Sequence, residues 1–145
     1  MTRSNSAVAD LYARGETEGR SGNMIIEGDT VYSYGTHFPI AKHLKGKIYL
    51  FNSDSYSMST SNHMNLVRRA LLRNKAILIF IKNCDTDYAL ENMKYNKELL
   101  HKLHSKYANA RSERKREEYK NAIRELEKQN KLLHNFVPDI LAKKI

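Results

Sequence analysis

The 145-residue chain reads as an α+β protein. The expected architecture is a small, largely antiparallel sheet with one packed helix, followed by a long C-terminal helix or helical hairpin. Three observations predict it. Short apolar and alternating runs separated by Gly-containing loops fill residues 24–84. One stretch among them, Ser61 to Asn74, carries its apolar residues at helical spacing. From Asp85 onward no Gly or Pro occurs until Pro138, and apolar residues recur every three or four positions.

In chain order, Met1 to Asn23 is rich in Ser, Gly, Arg and Glu, with Val8, Leu11 and Tyr12 as scattered apolar residues. So little apolar surface predicts a flexible arm, residues 1–23, with room for a helical turn near Ala7–Ala13. The core, residues 24–84, opens with a hairpin: Met24-Ile25-Ile26 and Thr30 to Tyr34 flank Glu27-Gly28-Asp29. Phe38, Ile40 and Leu44 before Lys45-Gly46, then Ile48 to Phe51, predict a second hairpin, with Pro39 at a strand start or edge. The Ser59-Thr60-Ser61 run offers N-caps to the helix that contains Met64, Val67, Leu71 and Leu72. Ala76 to Ile81 is continuously apolar and predicts a strand buried on both faces, central in a sheet of four or five strands.

Residues 85–145 predict a coiled-coil-like extension. Two seams are visible: Met93, Asn96, Leu100, Leu103, Tyr107 and Ala110, then Tyr119, Ile123, Leu126, Asn130, Leu133 and Val137. Between them Arg111 to Glu118 is charged on every face, and no breaker marks a turn. One long helix, ended by Pro138, is therefore preferred over a hairpin. The second stripe is too long for a core of this size to cover, which favours a homodimer through it, with a hairpin onto residues 90–110 as the alternative. Asn130 would set register in such a seam.

Charge bounds the partners. Lys and Arg number 25 against 16 acids, a formal net charge of +9. That balance attracts polyanions, and it is spread over both halves of the chain rather than gathered in one tail. The longest apolar run, Ala76 to Ile81, falls far short of the ~20 residues that span a bilayer, so no membrane is expected as a partner. No basic-then-apolar leader opens the chain, and its single cysteine, Cys84, cannot form an internal disulfide. A cytoplasmic setting is the expectation.

Two polar clusters stand out: Tyr34-Gly35-Thr36-His37-Phe38-Pro39-Ile40-Ala41, and Phe51-Asn52-Ser53-Asp54-Ser55-Tyr56-Ser57 running on to Ser59-Thr60-Ser61-Asn62-His63 and Val67-Arg68-Arg69. Over about residues 29–69 the chain resembles a family of small domains of unknown function found in viral and archaeal sequences. The resemblance implies no activity. It suggests a viral factor acting on host machinery, in the host cytoplasm.

Read by their chemistry, Tyr34, His37, Lys42, Lys47, Ser59, Thr60, Ser61, His63, Arg68 and Arg69 make a candidate anion or nucleic-acid site. Hydroxyls and free N–H groups at a helix start can hold phosphate, and tyrosines flanked by Lys and Arg can stack bases. Tyr32, Tyr34, Tyr49 and Tyr56 fall in the β core, and alternation would put Tyr32 and Tyr34 on one strand face. The expected function is non-catalytic: a basic accessory protein binding nucleic acid or a nucleoprotein partner. A protein–protein assembly module built on the C-terminal helix is the alternative. A His-dependent hydrolase or nuclease is the third reading, with His37, Asp54 and His63 as its catalytic residues. Acids are sparse in the core, and no phosphate loop, nucleophile elbow or His-Glu-x-x-His occurs. His101 and His104 are spaced for two metal ligands but lack further partners, so no metal and no cofactor is expected.

Overall fold

The computed structural model describes residues 3–54 and 57–143. The chain divides into two compact units, Met1–Asp85 and Thr86–Ile145.

The first unit is the α+β part. Its elements are α1 (Asn5–Ala13), β1 (Glu18–Arg20), β2 (Met24–Glu27), β3 (Thr30–Ser33), β4 (Phe38–Lys45), β5 (Ile48–Asn52), α2 (Met58–Arg73) and β6 (Ile77–Ile81). The six strands among the described residues lie in the order β1-β2-β3-β4-β5-β6. All neighbours are antiparallel except β5 and β6, which run parallel with α2 as the crossover between them. Both predicted hairpins are present. Each two-residue loop begins with a glycine in the left-handed region, Gly28 at φ +65° and Gly46 at φ +52°, a conformation that L side chains resist. Pro39 sits second in β4, an interior strand rather than an edge. The β3–β4 register shifts beside it: Val31 faces Ala41 but Tyr32 faces Pro39, leaving Ile40 as the extra residue of a bulge.

Three expectations about this unit are corrected. Within the expected arm, residues 1–23, the described residues 3–23 are not free. Ser4 caps α1 by accepting a hydrogen bond from the Ala7 N–H, and Val8, Ala9, Tyr12 and Ala13 are buried in the core. Spacings of three and four put Val8 and Tyr12 on one helix face, so few apolar residues suffice to anchor the segment. The same region supplies β1, the strand that brings the sheet to six. Ala76 to Ile81 yields β6, which is terminal in the strand order, not central. The helix start is also displaced: Ser57 is the N-cap, through a hydrogen bond accepted from the Thr60 N–H, and Ser59 to Ser61 lie inside the helix.

On one sheet face, Met24, Ile26, Val31, Ala41, Tyr49, Phe51 and Leu78 join Val67, Ala70 and Leu71 of α2 and the buried residues of α1 in one core. Alternate positions on the strands, Leu50, Ile79 and Ile81, are fully buried as well. Cys84 follows β6 in a tight turn with Asn83 and Cys84 both at positive φ, +55° and +53°. Its Sγ lies 3.5 Å from the Ile40 carbonyl oxygen, and burial pushes the thiol pKa far up.

The second unit is helical: a 3₁₀ turn (Thr86–Tyr88), α3 (Ala89–Asn109) and α4 (Glu113–Lys143). α3 and α4 pack on each other, so the expected single helix is a hairpin. The break needs neither Gly nor Pro. Ala110 takes an extended conformation, and the Ser112 hydroxyl accepts from the Lys115 N–H at 3.1 Å, capping α4. Nor does Pro138 end the helix, which runs through it to Lys143. Ile123, Leu133 and Ile140 of α4 and Asn96 of α3 are buried, while Leu126, Asn130 and Val137 are half-buried. With α3 packed along α4, the stripe finds a helix within its own chain and does not by itself call for a homodimer. No helix among the described residues is long and apolar enough to cross a membrane.

Candidate nucleic-acid interface

The predicted site residues separate into four groups. The first is a buried polar chain where α2 meets β3. Thr60, His63, Val67, Ala70 and Leu71 recur at helical spacing and turn inward, so a hydroxyl and an imidazole enter an otherwise apolar face. His63 Nδ1 lies 2.7 Å from Ser33 Oγ. The Ser33 and Ser57 hydroxyls both donate to Thr60 Oγ1, at 3.4 and 3.1 Å. Burial lowers the His63 pKa from its ordinary value, because the charged imidazolium would lose its hydration. Ser33 is 0% exposed and His63 4%.

This geometry resembles a nucleophile–base pair in distance only. A nucleophile must meet its substrate, and Ser33 meets no solvent. Asp54 gives its backbone N–H to Asn52 Oδ1, and neither His37 nor His63 is a partner of its carboxylate among the described contacts. His37 is exposed in the β3–β4 loop. The suggested His37–Asp54–His63 catalytic set is therefore not joined by contacts. Asn52 is a structural hub instead: its side chain donates to the Pro39 carbonyl and accepts from the Asp54 and Asn83 N–H groups, tying the start of β4 to the segments that follow β5 and β6.

The second group is exposed near that chain. Tyr34 leaves β3 at φ +56°, 45% exposed, with its ring centroid 5.4 Å from that of His63. Tyr32 stays in the strand and points to the opposite face from Ser33, so the two tyrosines do not form one aromatic face. Tyr49 is buried in the core, its ring edge-on to Tyr12 at 5.6 Å. Tyr56 lies outside the described residues. Ser59 is exposed and Ser61 half-buried in the first turns of α2, and Arg68 and Arg69 lie on its exposed side, with Arg68 Nη2 3.4 Å from Asn65 Oδ1.

The third group is elsewhere. Lys42 pairs with Leu50 on the sheet face opposite His63, and Lys47 sits in the β4–β5 turn. The structure does not bring these lysines to Tyr34, His37 or the start of α2.

The fourth group, the α4 seam from Tyr119 to Val137, belongs to the hairpin. Asn130 Oδ1 is buried there without a hydrogen-bond partner among the described residues. His104 Nε2 lies 3.7 Å from Glu127 Oε1 across the two helices. No group of three or more His, Cys, Asp or Glu side chains is placed to hold a metal ion among the described residues.

The exposed basic surface of the hairpin was not singled out by sequence reasoning. Residues 86–145 hold 14 bases and 9 acids, and every Lys and Arg from Lys94 to Lys131 is exposed. Near the tip, Arg114 and Lys115 face Glu118, and Arg116 faces Glu113, at 3.5–3.9 Å. Lys106 and Arg111 have no acidic partner among the described residues. A cleft of about 420 Å³ opens at the tip, lined by Lys106, Arg111, Lys115 and Tyr119 with polar neighbours from both helices. The sequence signal that would have found it is Ser112, whose cap turns the charged stretch back on α3 and so gathers its cations.

The chain matches no protein-family model, no curated protein and no solved structure.

Proposed function

We propose that this chain is a non-catalytic nucleic-acid-binding protein, engaging the phosphate backbone through the exposed cations of its helical hairpin. The observation that carries this reading is the continuous exposure of Lys and Arg from Lys94 to Lys131, in excess over the acids available to pair with them. Exposed cations attract a polyanion by releasing its condensed counterions, and such binding needs no deep pocket. The burial of Ser33 and His63 supports binding over hydrolysis. By the resemblance of residues 29–69 alone, the setting would be a viral accessory factor acting on host nucleoprotein in the host cytoplasm.

The test is fluorescence anisotropy with labelled RNA and DNA oligonucleotides over a salt series. Affinity should fall linearly on logarithmic axes, with a slope reporting several phosphate contacts. A flat salt response would show that the exposed cations do not carry the contact. Failure to bind any oligonucleotide at low salt would overturn the reading.

A further inference from the structure

We infer that the cleft at the tip of the α3–α4 hairpin is a single-nucleotide seat that gives the protein a preference for single-stranded nucleic acid. The inference rests on the nucleic-acid binding proposed above and names the place where a strand is gripped. Three features converge on the cleft. It is an open hollow of about 420 Å³, accessible to a strand laid across its mouth. Lys106 and Arg111 enter it from the end of α3 and from the turn, and neither is neutralised by a carboxylate among the described residues. Tyr119 supplies a half-buried aromatic ring to the same cleft.

Cations alone would serve a duplex as well as a strand. The tyrosine makes the difference, because only an unpaired base can leave its stack and lie on an aromatic ring. A phosphodiester held by Lys106 and Arg111, with the adjacent base on Tyr119, uses all three at once. Arg111 suits the role because its planar fork takes two phosphate oxygens together. Lys115, which faces Glu118 at 3.5 Å, adds a partly compensated charge at the rim.

The experiment compares a labelled oligo-uridine strand with an RNA duplex of the same length by anisotropy, using the full chain. The parent should prefer the strand. Tyr119→Leu should weaken strand binding at least about fivefold, the lower end for loss of one base-stacking contact, and leave duplex binding unchanged. Tyr119→Phe should retain strand binding. Circular dichroism melting shows whether each variant keeps its helices. Lys106→Ala/Arg111→Ala, at two exposed positions, is the second arm, and is set against Lys94→Ala/Lys97→Ala, which removes equal charge away from the tip. A larger loss from the tip pair supports the seat. Equal losses from the two pairs, or a parent without strand preference, would overturn the seat while leaving nucleic-acid binding intact. A parent that binds neither probe would overturn both.

Discussion

His63 Nδ1 and Ser33 Oγ, 30 residues apart in sequence, sit 2.7 Å from each other between helix and sheet, and both residues are buried. The bond ties α2 to β3 at the end of the sheet where the apolar core gives way to polar loops. Removing His63 would take away the closer of the two side-chain partners of the buried Ser33 hydroxyl and leave it only the 3.4 Å bond to Thr60.

His63→Ala is therefore expected to cost about 1–3 kcal/mol, for the lost buried hydrogen bond and the space left by the ring. His37→Ala, at an exposed loop position, should stay within about 0.5 kcal/mol of the parent. Urea denaturation of the two variants reads the difference directly. Equal stabilities would mean that the Ser33–His63 bond carries no energy.

The same histidine predicts a pH dependence. Its folded pKa lies below the unfolded value of about 6.5, so the unfolded chain binds more protons over the interval between them. The contribution of neutral His63 is complete above about pH 6.5 and is lost as pH falls from there toward the folded pKa. Melting the parent and His63→Gln from pH 7.5 down to 5 should show a steeper decline for the parent. Parallel curves would assign the acid sensitivity to other groups.

Tyr12 tests the N-terminal segment. Its ring is 2% exposed, and its hydroxyl donates to the Asp29 carbonyl at 2.8 Å. Tyr12→Ala should cost about 3–5 kcal/mol, as large aromatic truncations in cores do. Tyr12→Phe should cost about 1 kcal/mol for the hydrogen bond alone. Deleting residues 1–23 should unfold the first unit or lower its melting temperature sharply, and an unchanged transition would show the helix to be dispensable.

Asn130 offers a stabilising change. Its Oδ1 is buried in the hairpin with no hydrogen-bond partner among the described residues. Asn130→Leu should raise stability by about 1–3 kcal/mol by removing that unmet acceptor. Sedimentation equilibrium on the parent and on Leu126→Lys adds the assembly test: a self-contained hairpin predicts one chain for both, with Leu126→Lys less stable. A parent of two chains reduced to one by the substitution would restore the dimer.

Cys84 should be inert in the folded protein. Its thiol is buried, held near the Ile40 and Leu50 carbonyls, and burial disfavours the reactive thiolate. Iodoacetamide labelling followed by mass spectrometry should require denaturant, with a rate that tracks unfolding. Rapid labelling in buffer would show that the turn at Asn83–Cys84 opens.

The sequence by itself determined what depends on near neighbours. Gly28 and Gly46 mark the two hairpins because only glycine adopts their left-handed φ without cost. The α2 face of Val67 and Leu71 and the buried or half-buried seam positions of α3 and α4 follow from helical spacing, whereas Tyr107 of the expected seam is exposed and Ala110 falls in the turn. Partnership over distance was decided only in the tertiary structure. Val8 and Tyr12 look sparse along the chain, yet the burial that orders α1 comes from α2, β1 and β2. The run from Ala76 to Ile81 reads as central from its composition, whereas strand order, a property of the whole sheet, makes it terminal. His63 could be recognised as a notable histidine, but its partner Ser33 could not, since nothing local links a strand end to a residue 30 positions away. Lys42 and Lys47 look close to the cluster in sequence, and the pleat and the β4–β5 turn carry them away from it. The hairpin turn at Ala110–Ser112 is the clearest instance. A single serine cap competes there with a sequence that would accept a continuous helix, and it is the packing of α3 along α4 that favours the turn.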